Sequence, residues 1–159
     1  MRKDLPVNLD IKMRCHLGNR PKNDNGYFEQ LTKVVFRSGM NWQVIENKWP
    51  AFNNAFKKFS VKKVAEFNEE DIDRLMLEEK IVRNHKKISA TIQNARIFLS
   101  LRKDYRNFSS YLDELRPEGE EELMKALAKR FAFLGEATSL FFLRAVGEEM
   151  PKTLKMIKR

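Results

Sequence analysis

Two amphipathic helical stretches follow each other closely in residues 71–99, DIDRLMLEEKIVRNHKKISATIQNARIFL. In the first stretch, Ile72, Leu75 and Met76 share one helical face. In the second stretch, the inward-facing residues recur at three- and four-residue steps, which is the spacing of a helix with one buried side: Ile88, Thr91, Ile92, Ala95 and Leu99. The short junction between the stretches predicts a tight hairpin of two helices.

The junction itself, Lys80-Ile81-Val82-Arg83-Asn84, is basic. A tight connection leaves backbone N–H groups at the start of the second helix without acceptors inside the helix, and the helix dipole favours an anion there. Basic and polar side chains surround this position: Lys80, Arg83, Asn84, Lys86 and Lys87. The pattern predicts a helix-hairpin-helix unit that binds nucleic-acid backbone without reading its sequence.

Composition supports a folded chain with a polyanionic partner. The 159 residues are 42% hydrophobic and include 12 phenylalanines, which indicates a core built largely of aromatic rings. Lys and Arg exceed Asp and Glu by nine, an excess that favours nucleic acid over an acidic small molecule. A basic surface without such a function is the alternative that charge alone leaves open.

Cysteine and histidine usage argues against disulfides and metal. The chain contains one cysteine, Cys15, and two histidines, His16 and His85. Adjacent Cys15 and His16 are poorly spaced for ligands of one ion, so no metal and no cofactor are expected. No apolar run is long enough for a membrane span, and the N-terminus lacks a secretory pattern. These features predict a cytoplasmic protein that does not contact membranes.

We expect an all-α protein, a compact multi-helix bundle that functions as a monomer. An irregular arm is predicted over residues 1–24, a single helical domain over 25–149 and a basic tail over 150–159. Helices are expected at about 25–37, from the cap Asn41 through Trp42, and from Pro50 to about Phe59.

Further caps are predicted at Ser60 for the segment VKKVAEF, at Asn68 for the first hairpin helix and at Asn107 for the helix that follows the hairpin. The second hairpin helix is expected to run to about Tyr105, and the final helices to cover about 120–131 and 136–147.

Three segments together resemble the DNA-3-methyladenine glycosylase I family: YFEQL…FRSGMNWQVIENKWPAFNNAFKKFSVKKVA (27–65), EEDIDRLMLEEKIVRNHKKISATIQNAR (69–96) and FAFLGEATSLFFLRAVG (131–147). The family carries QAGLSW, F-x-x-x-x-V-A and GIIR-x-x-x-KI motifs in the first two. The resemblance implies an all-α glycosylase fold and a monofunctional enzyme. Its substrate would be double-stranded DNA containing alkylated bases such as 3-methyladenine, hydrolysed at the N-glycosidic bond after base flipping.

The resemblance also assigns roles to residues. Trp42 falls on the tryptophan of QAGLSW, which implies that it stacks on the extruded base; Phe28, Val34 and Asn41 complete the predicted base pocket. Gly39 and Met40 fall on the Gly-Leu of the same motif, and this loop could enter the gap left by the flipped nucleotide. Without the resemblance, the sequence favours a core position for Trp42, and Met40 reads nearly as well as an ordinary buried residue.

Several positions depart from the family pattern. Val34 stands where the family has its pocket glutamate, Lys80 stands where the hairpin has a glycine, and the family's zinc ligands have no equivalents. Glu136 and, after it, Glu46 are the candidate substitutes for the missing catalytic carboxylate, although Glu136 also suits a helix start. A DNA-binding homologue with impaired catalysis is therefore the alternative function.

Overall fold

The computed structural model describes residues 17–150; residues 1–16 and 151–159, which include Cys15, His16 and the basic tail, lie outside the described range. The described range contains helices and no strand, so the predicted all-α class is confirmed. The helices are α1 (Asp24–Arg37), α2 (Trp42–Ala55), α3 (Val61–Ala65), α4 (Glu69–Met76), α5 (His85–Leu101), α6 (Phe108–Leu115), α7 (Glu120–Arg130) and α8 (Glu136–Ala145). Two short 3₁₀ turns occupy Lys57–Phe59 and Arg116–Glu118.

Side-chain caps begin six of these helices. The capping side chains accept a hydrogen bond from a first-turn N–H: Asn23, Asn41, Ser60, Asn68, Asn84 and Asn107. The predicted caps Asn41, Ser60, Asn68 and Asn107 are confirmed. At Asn68 the cap is reciprocal, because the Asn68 backbone N–H donates to Asp71 Oδ2 at 2.9 Å.

Helices α1 and α5 lie antiparallel and define two ends of the molecule. At one end Asp24 accepts from Arg102 Nε at 3.1 Å and from the Phe108 backbone N–H at 2.9 Å. At the other end Lys87 Nζ donates to the carbonyl of Ser38 at 2.5 Å. We call these the distal end (Asp24, Arg102) and the hairpin end (Ser38, Lys87). The 14 residues of α1 separate them by about 20 Å.

Phenylalanine rings fill the space between the helices, as composition indicated. Phe98 of α5 lies 5.7 Å from Phe28 of α1 and 4.7 Å from Phe108 of α6, measured between ring centroids. Phe108 in turn lies 6.0 Å from Phe142 of α8. This aromatic core joins α1, α5, α6 and α8.

The structure corrects the prediction that Pro50 begins a new helix. Pro50 lies inside α2, which runs unbroken from Trp42 to Ala55. Proline removes one N–H from the helix ladder, but Trp49 and Phe52 bury their rings on either side of it, and this burial opposes the loss.

The end of this segment also differs from the prediction. The chain leaves α2 at Ala55 and turns through Lys57, Lys58 and Phe59, all with φ near +55°. The left-handed turn returns Phe59 to the core, where its ring stacks on Trp49 at 5.1 Å.

Helix α5 ends at Leu101, four residues before the predicted Tyr105. The chain tightens there, since the N–H groups of Arg102 and Lys103 donate to carbonyls three residues earlier, Leu99 and Ser100. Arg102 is then in position to pair with Asp24 across the distal end. The last helix, α8, likewise ends at Ala145 instead of Gly147.

Candidate nucleic-acid interface and base pocket

The turn between α4 and α5, residues 77–84, is closed by short-range hydrogen bonds. Leu77 N–H donates to the carbonyl of Arg74, Asn84 N–H donates to that of Val82 at 3.1 Å, and Lys80 N–H donates to Glu78 Oε1 at 3.0 Å. Lys80 does not have a positive φ. The turn therefore forms without the glycine that the family resemblance places at this position.

The first turn of α5 presents free donors at the surface. Asn84 Oδ1 accepts from Lys87 N–H at 3.0 Å, and the Asn84 carbonyl accepts from Ile88 N–H at 2.9 Å. Within residues 17–150, no acceptor engages the N–H groups of His85 and Lys86. Two such donors at a helix start are suited to an anion.

Three basic side chains surround these donors: Lys80, Arg83 and Lys86. All three are exposed, and none forms an ion pair within the described part of the chain. Their charge is therefore available to a ligand.

Lys87, which the sequence placed in the same basic group, has a different environment. The side chain is 4% exposed, and its ammonium donates to the carbonyls of Phe36 at 3.1 Å and Ser38 at 2.5 Å. A group enclosed in this way does not reach a phosphate at the surface. Contrary to the prediction, Lys87 is therefore not expected to contact DNA.

The loop that Lys87 holds, residues 38–41, connects α1 to α2. Gly39 is exposed and has φ of +74°, a conformation that disfavours a side chain. Met40 is half-buried against the core. The Asn41 side-chain oxygen accepts from Gln43 N–H at 2.8 Å and Val44 N–H at 3.3 Å, so it is engaged as a helix cap.

Trp42 is the first residue of α2 and is half-buried at the hairpin end. Its ring meets Phe141 of α8 edge to face, with centroids 5.6 Å apart and an interplanar angle of 80°. The guanidinium carbon of Arg37 lies 4.7 Å from the Trp42 ring centroid. Trp42 is thus held between the end of α1 and α8, with part of its surface open to solvent.

Trp49, the second tryptophan, shows what a core position looks like in this fold. It is 7% exposed, stacks on Phe52 and Phe59, and donates its indole N–H to Glu29 Oε2 at 2.8 Å. The two tryptophans therefore have distinct environments, one enclosed and one at the surface.

Glu46 forms an ion pair with Arg37, the residue that lies over the Trp42 ring. Its carboxylate accepts from Arg37 Nη2 at 2.9 Å and from Lys33 Nζ at 3.5 Å. Burial raises the pKa of Glu46, but Lys33 and Arg37 lower it by more, so the pKa lies below its ordinary value. Glu46 is consequently ionised at neutral pH and anchors Arg37 over the indole ring.

We expect the stability contribution of Glu46 to depend on pH. Because the folded-state pKa is depressed, the contribution is present above the unfolded value, near 4.5, and is lost as the pH falls through the folded value. Glu46→Gln should therefore lower the melting temperature at pH 7, with the difference from wild type closing in acid. Glu114→Gln, on an exposed glutamate of α6, is the control; a Glu46→Gln difference that persists unchanged in acid would contradict the assignment.

The other predicted site residues are Phe28, Val34 and Glu136. Phe28 is 0% exposed, with its ring between Phe59 and Phe98, and Val34 is 3% exposed in the core. Neither has surface to offer a base in this structure, because the inward face of α1 packs on neighbouring helices. Glu136 begins α8 and is half-buried.

Sequence reasoning missed two neighbours of Trp42, namely Arg37 and Phe141. Arg37 directly precedes the loop in FRSGMNW, and this adjacency was the available signal. Nothing in the local pattern distinguished Phe141 from the core ring of Phe142 beside it.

Metal and membrane features are also absent from the part of the chain that is described. Among residues 17–150, no three or more His, Cys, Asp or Glu side chains are grouped so that they could hold a metal ion. No helix in that range is long and apolar enough to cross a membrane.

Comparison with known proteins places the chain in a family. The family profile described as methyladenine glycosylase matches residues 16–120. The chain is 30% identical to a DNA-3-methyladenine glycosylase of Haemophilus influenzae, an alignment that covers 76% of this chain and 75% of the relative. The chain belongs to the methyladenine glycosylase family.

Solved structures agree with this assignment. The fold is similar to that of 3-methyladenine DNA glycosylase I from Staphylococcus aureus, with a TM-score of 0.74, 27% identity and coverage of 86% of this chain and 83% of the other. It is equally similar, with a TM-score of 0.74 and 27% identity, to a tyrosine-to-phenylalanine variant of 3-methyladenine DNA glycosylase I in complex with 3-methyladenine, where the match covers 92% of each chain.

Proposed function

We propose that this protein is a monofunctional DNA N-glycosylase that hydrolyses the N-glycosidic bond of alkylated bases, 3-methyladenine among them, in duplex DNA. The observation that carries the proposal is the half-buried Trp42 at the hairpin end, where Lys87 of α5 contacts the carbonyl of Ser38, four residues before Trp42. One end of the molecule thus offers both an aromatic surface and an anion site. The names of the relatives support the same activity.

The hairpin is proposed to bind the DNA backbone. A phosphate would accept hydrogen bonds from the N–H groups of His85 and Lys86, at the positive end of the α5 dipole. Lys80, Arg83 and Lys86 add charge, with Asn84 shaping the turn as the helix cap. Contacts of this kind fix the position of the protein on DNA without selecting a sequence.

The base pocket is proposed to form on Trp42. A base inside a duplex has to leave the stack before its glycosidic bond can be reached, and an exposed aromatic face can receive it. Methylation at N3 makes the base cationic, which favours contact with an indole ring. Arg37 lies over the Trp42 ring, so the base would share the surface of the indole with Arg37.

The loop at Gly39 and Met40 is proposed to fill the gap that the base leaves. Gly39 is exposed in a left-handed conformation, and Met40 is apolar and only half-buried. An apolar side chain between base steps can support unstacking at such a position.

Bond cleavage makes modest demands on the protein. A cationic base is a good leaving group: it departs with the electron pair of the glycosidic bond and becomes neutral, while water adds to C1′ of the sugar and releases a proton. Glu136 remains the first candidate for accepting that proton, and Glu46 the second. Because Lys33 and Arg37 lower the pKa of Glu46, its carboxylate is a weaker base than an ordinary glutamate, which is why Glu46 ranks second.

A DNA-binding homologue with impaired excision is the second candidate function. Val34 supports it, because the resemblance places a pocket glutamate at that position and here the side chain is an apolar core group. Both functions require the same backbone contacts. They differ only in whether the base is released.

The decisive experiment measures release of free base from methylated duplex DNA by the purified protein. The proposed enzyme releases 3-methyladenine above the spontaneous rate, and Glu136→Gln slows that release. Binding of the duplex without release of 3-methyladenine, 7-methylguanine or another alkylated base would favour the impaired homologue.

We further propose that the protein acts as a cytoplasmic monomer. The anion site and Trp42 both belong to the same chain, so the proposed chemistry needs no second copy. Sedimentation of the protein with and without duplex DNA tests the stoichiometry.

A further inference from the structure

Lys87 is a buried cation that the proposed chemistry does not use. Its ammonium donates to the carbonyls of Phe36 at 3.1 Å and Ser38 at 2.5 Å and lies 5.8 Å from the centroid of the Phe133 ring. Phe36 belongs to the last turn of α1, where backbone carbonyls have no N–H partner inside the helix. A cation is therefore favourable there. Lys87 thereby caps α1 from a different helix.

The position of Lys87 links the two parts of the proposed site. Its backbone lies in the first turn of α5, where its N–H donates to the cap Asn84 and the N–H of the preceding Lys86 is free. Its side chain ends on the carbonyl of Ser38, where the loop to Trp42 begins. Phe133 adds a third segment, the connection that leads to α8.

We propose that Lys87 is a positioning residue that fixes the loop of residues 38–41, here called the Trp42 loop, against the first turn of α5. This would let the protein bind the DNA backbone and stack the extruded base on Trp42 at the same time. This inference rests on the proposed function. A displacement of about 1 Å between two such parts is enough to cost a large factor in rate. Burial also lowers the pKa of Lys87, which is consistent with an ammonium enclosed by protein.

Lys87→Met tests the proposal, because it keeps the aliphatic stem and removes the donors. Lys125→Met, on an exposed lysine of α7, is the matched control. We expect Lys87→Met to slow single-turnover release of 3-methyladenine by about ten- to a hundredfold while the Kd for undamaged duplex changes little. The control should match wild type in both.

A second readout does not depend on catalysis. The chain has two tryptophans, and Trp49 is enclosed, so quenching of fluorescence by acrylamide reports mainly on Trp42. Lys87→Met should make Trp42 more accessible to acrylamide. If wild type releases no base, the proposed function fails, yet the quenching measurement still decides whether Lys87 positions the Trp42 loop.

A purely structural role gives a different result. It would lower the melting temperature but leave the rate per folded molecule and the quenching unchanged well below that temperature, and this outcome would overturn the proposal. Lys87→Gln, whose side-chain amide keeps two N–H donors, replaces Lys87→Met if the latter does not fold. It should release 3-methyladenine more slowly than wild type and make Trp42 more accessible to acrylamide. Failure of both variants to fold would also overturn the proposal, since Lys87 would then stabilise the fold as a whole.

Discussion

Replacing Trp42 with alanine is expected to reduce kcat/KM for 3-methyladenine release by about ten- to a hundredfold, because stacking of a base on an aromatic ring contributes about 1–3 kcal/mol. The ring is half-buried, so its loss leaves the aromatic core between α1, α5 and α6 intact. The protein should therefore stay folded. Single-turnover assays on methylated duplex, with circular dichroism to confirm folding, provide the measurement.

Two further tryptophan variants separate stacking from a general loss of aromatic packing. Trp42→Phe keeps a ring against Phe141 and Arg37 and should retain part of the activity. Trp49→Phe changes the enclosed tryptophan and loses its hydrogen bond to Glu29, so it should lower stability and leave base release intact. Wild-type activity in Trp42→Ala would show that the base is received elsewhere.

The helices could be predicted from the sequence because their signals are local. Caps at Asn41, Ser60, Asn68 and Asn107 depend on a side chain and N–H groups two or three residues away, and the structure has all four. The position of Pro50 was mispredicted for a non-local reason. Burial of Trp49 and Phe52 favours a continuous α2 although proline weakens its hydrogen-bond ladder.

The candidate site was predicted only in part, and long-range contacts explain the difference. Trp42 could be singled out from its motif, but its neighbour Phe141 lies 99 positions further along the chain. Lys87 looked like its exposed neighbour Lys86 in the sequence, and only the packing of α5 against α1 encloses one and exposes the other. Local charge therefore indicated a nucleic-acid surface without indicating which lysine serves it.

Reversing the charge of the hairpin should have the largest effect on DNA binding. Arg83→Glu with Lys86→Glu is expected to weaken binding of undamaged duplex by about ten- to a hundredfold, since two phosphate contacts are lost and repulsion is added. The slope of log K against log salt should become shallower by about two, one for each contact. Titrations of labelled duplex at several salt concentrations measure both quantities.

A matched control separates a local anchor from the overall charge of the protein. Lys62→Glu with Lys63→Glu changes the net charge by the same amount on exposed side chains of α3. Helix α3 begins beside the start of α1, where Val61 N–H donates to Asn25 Oδ1 at 3.0 Å, and is therefore at the distal end. If the hairpin is the anchor, this control loses little affinity. An equal loss in both double variants would mean that DNA responds to net charge alone, and that the free donors of α5 are not where the backbone binds.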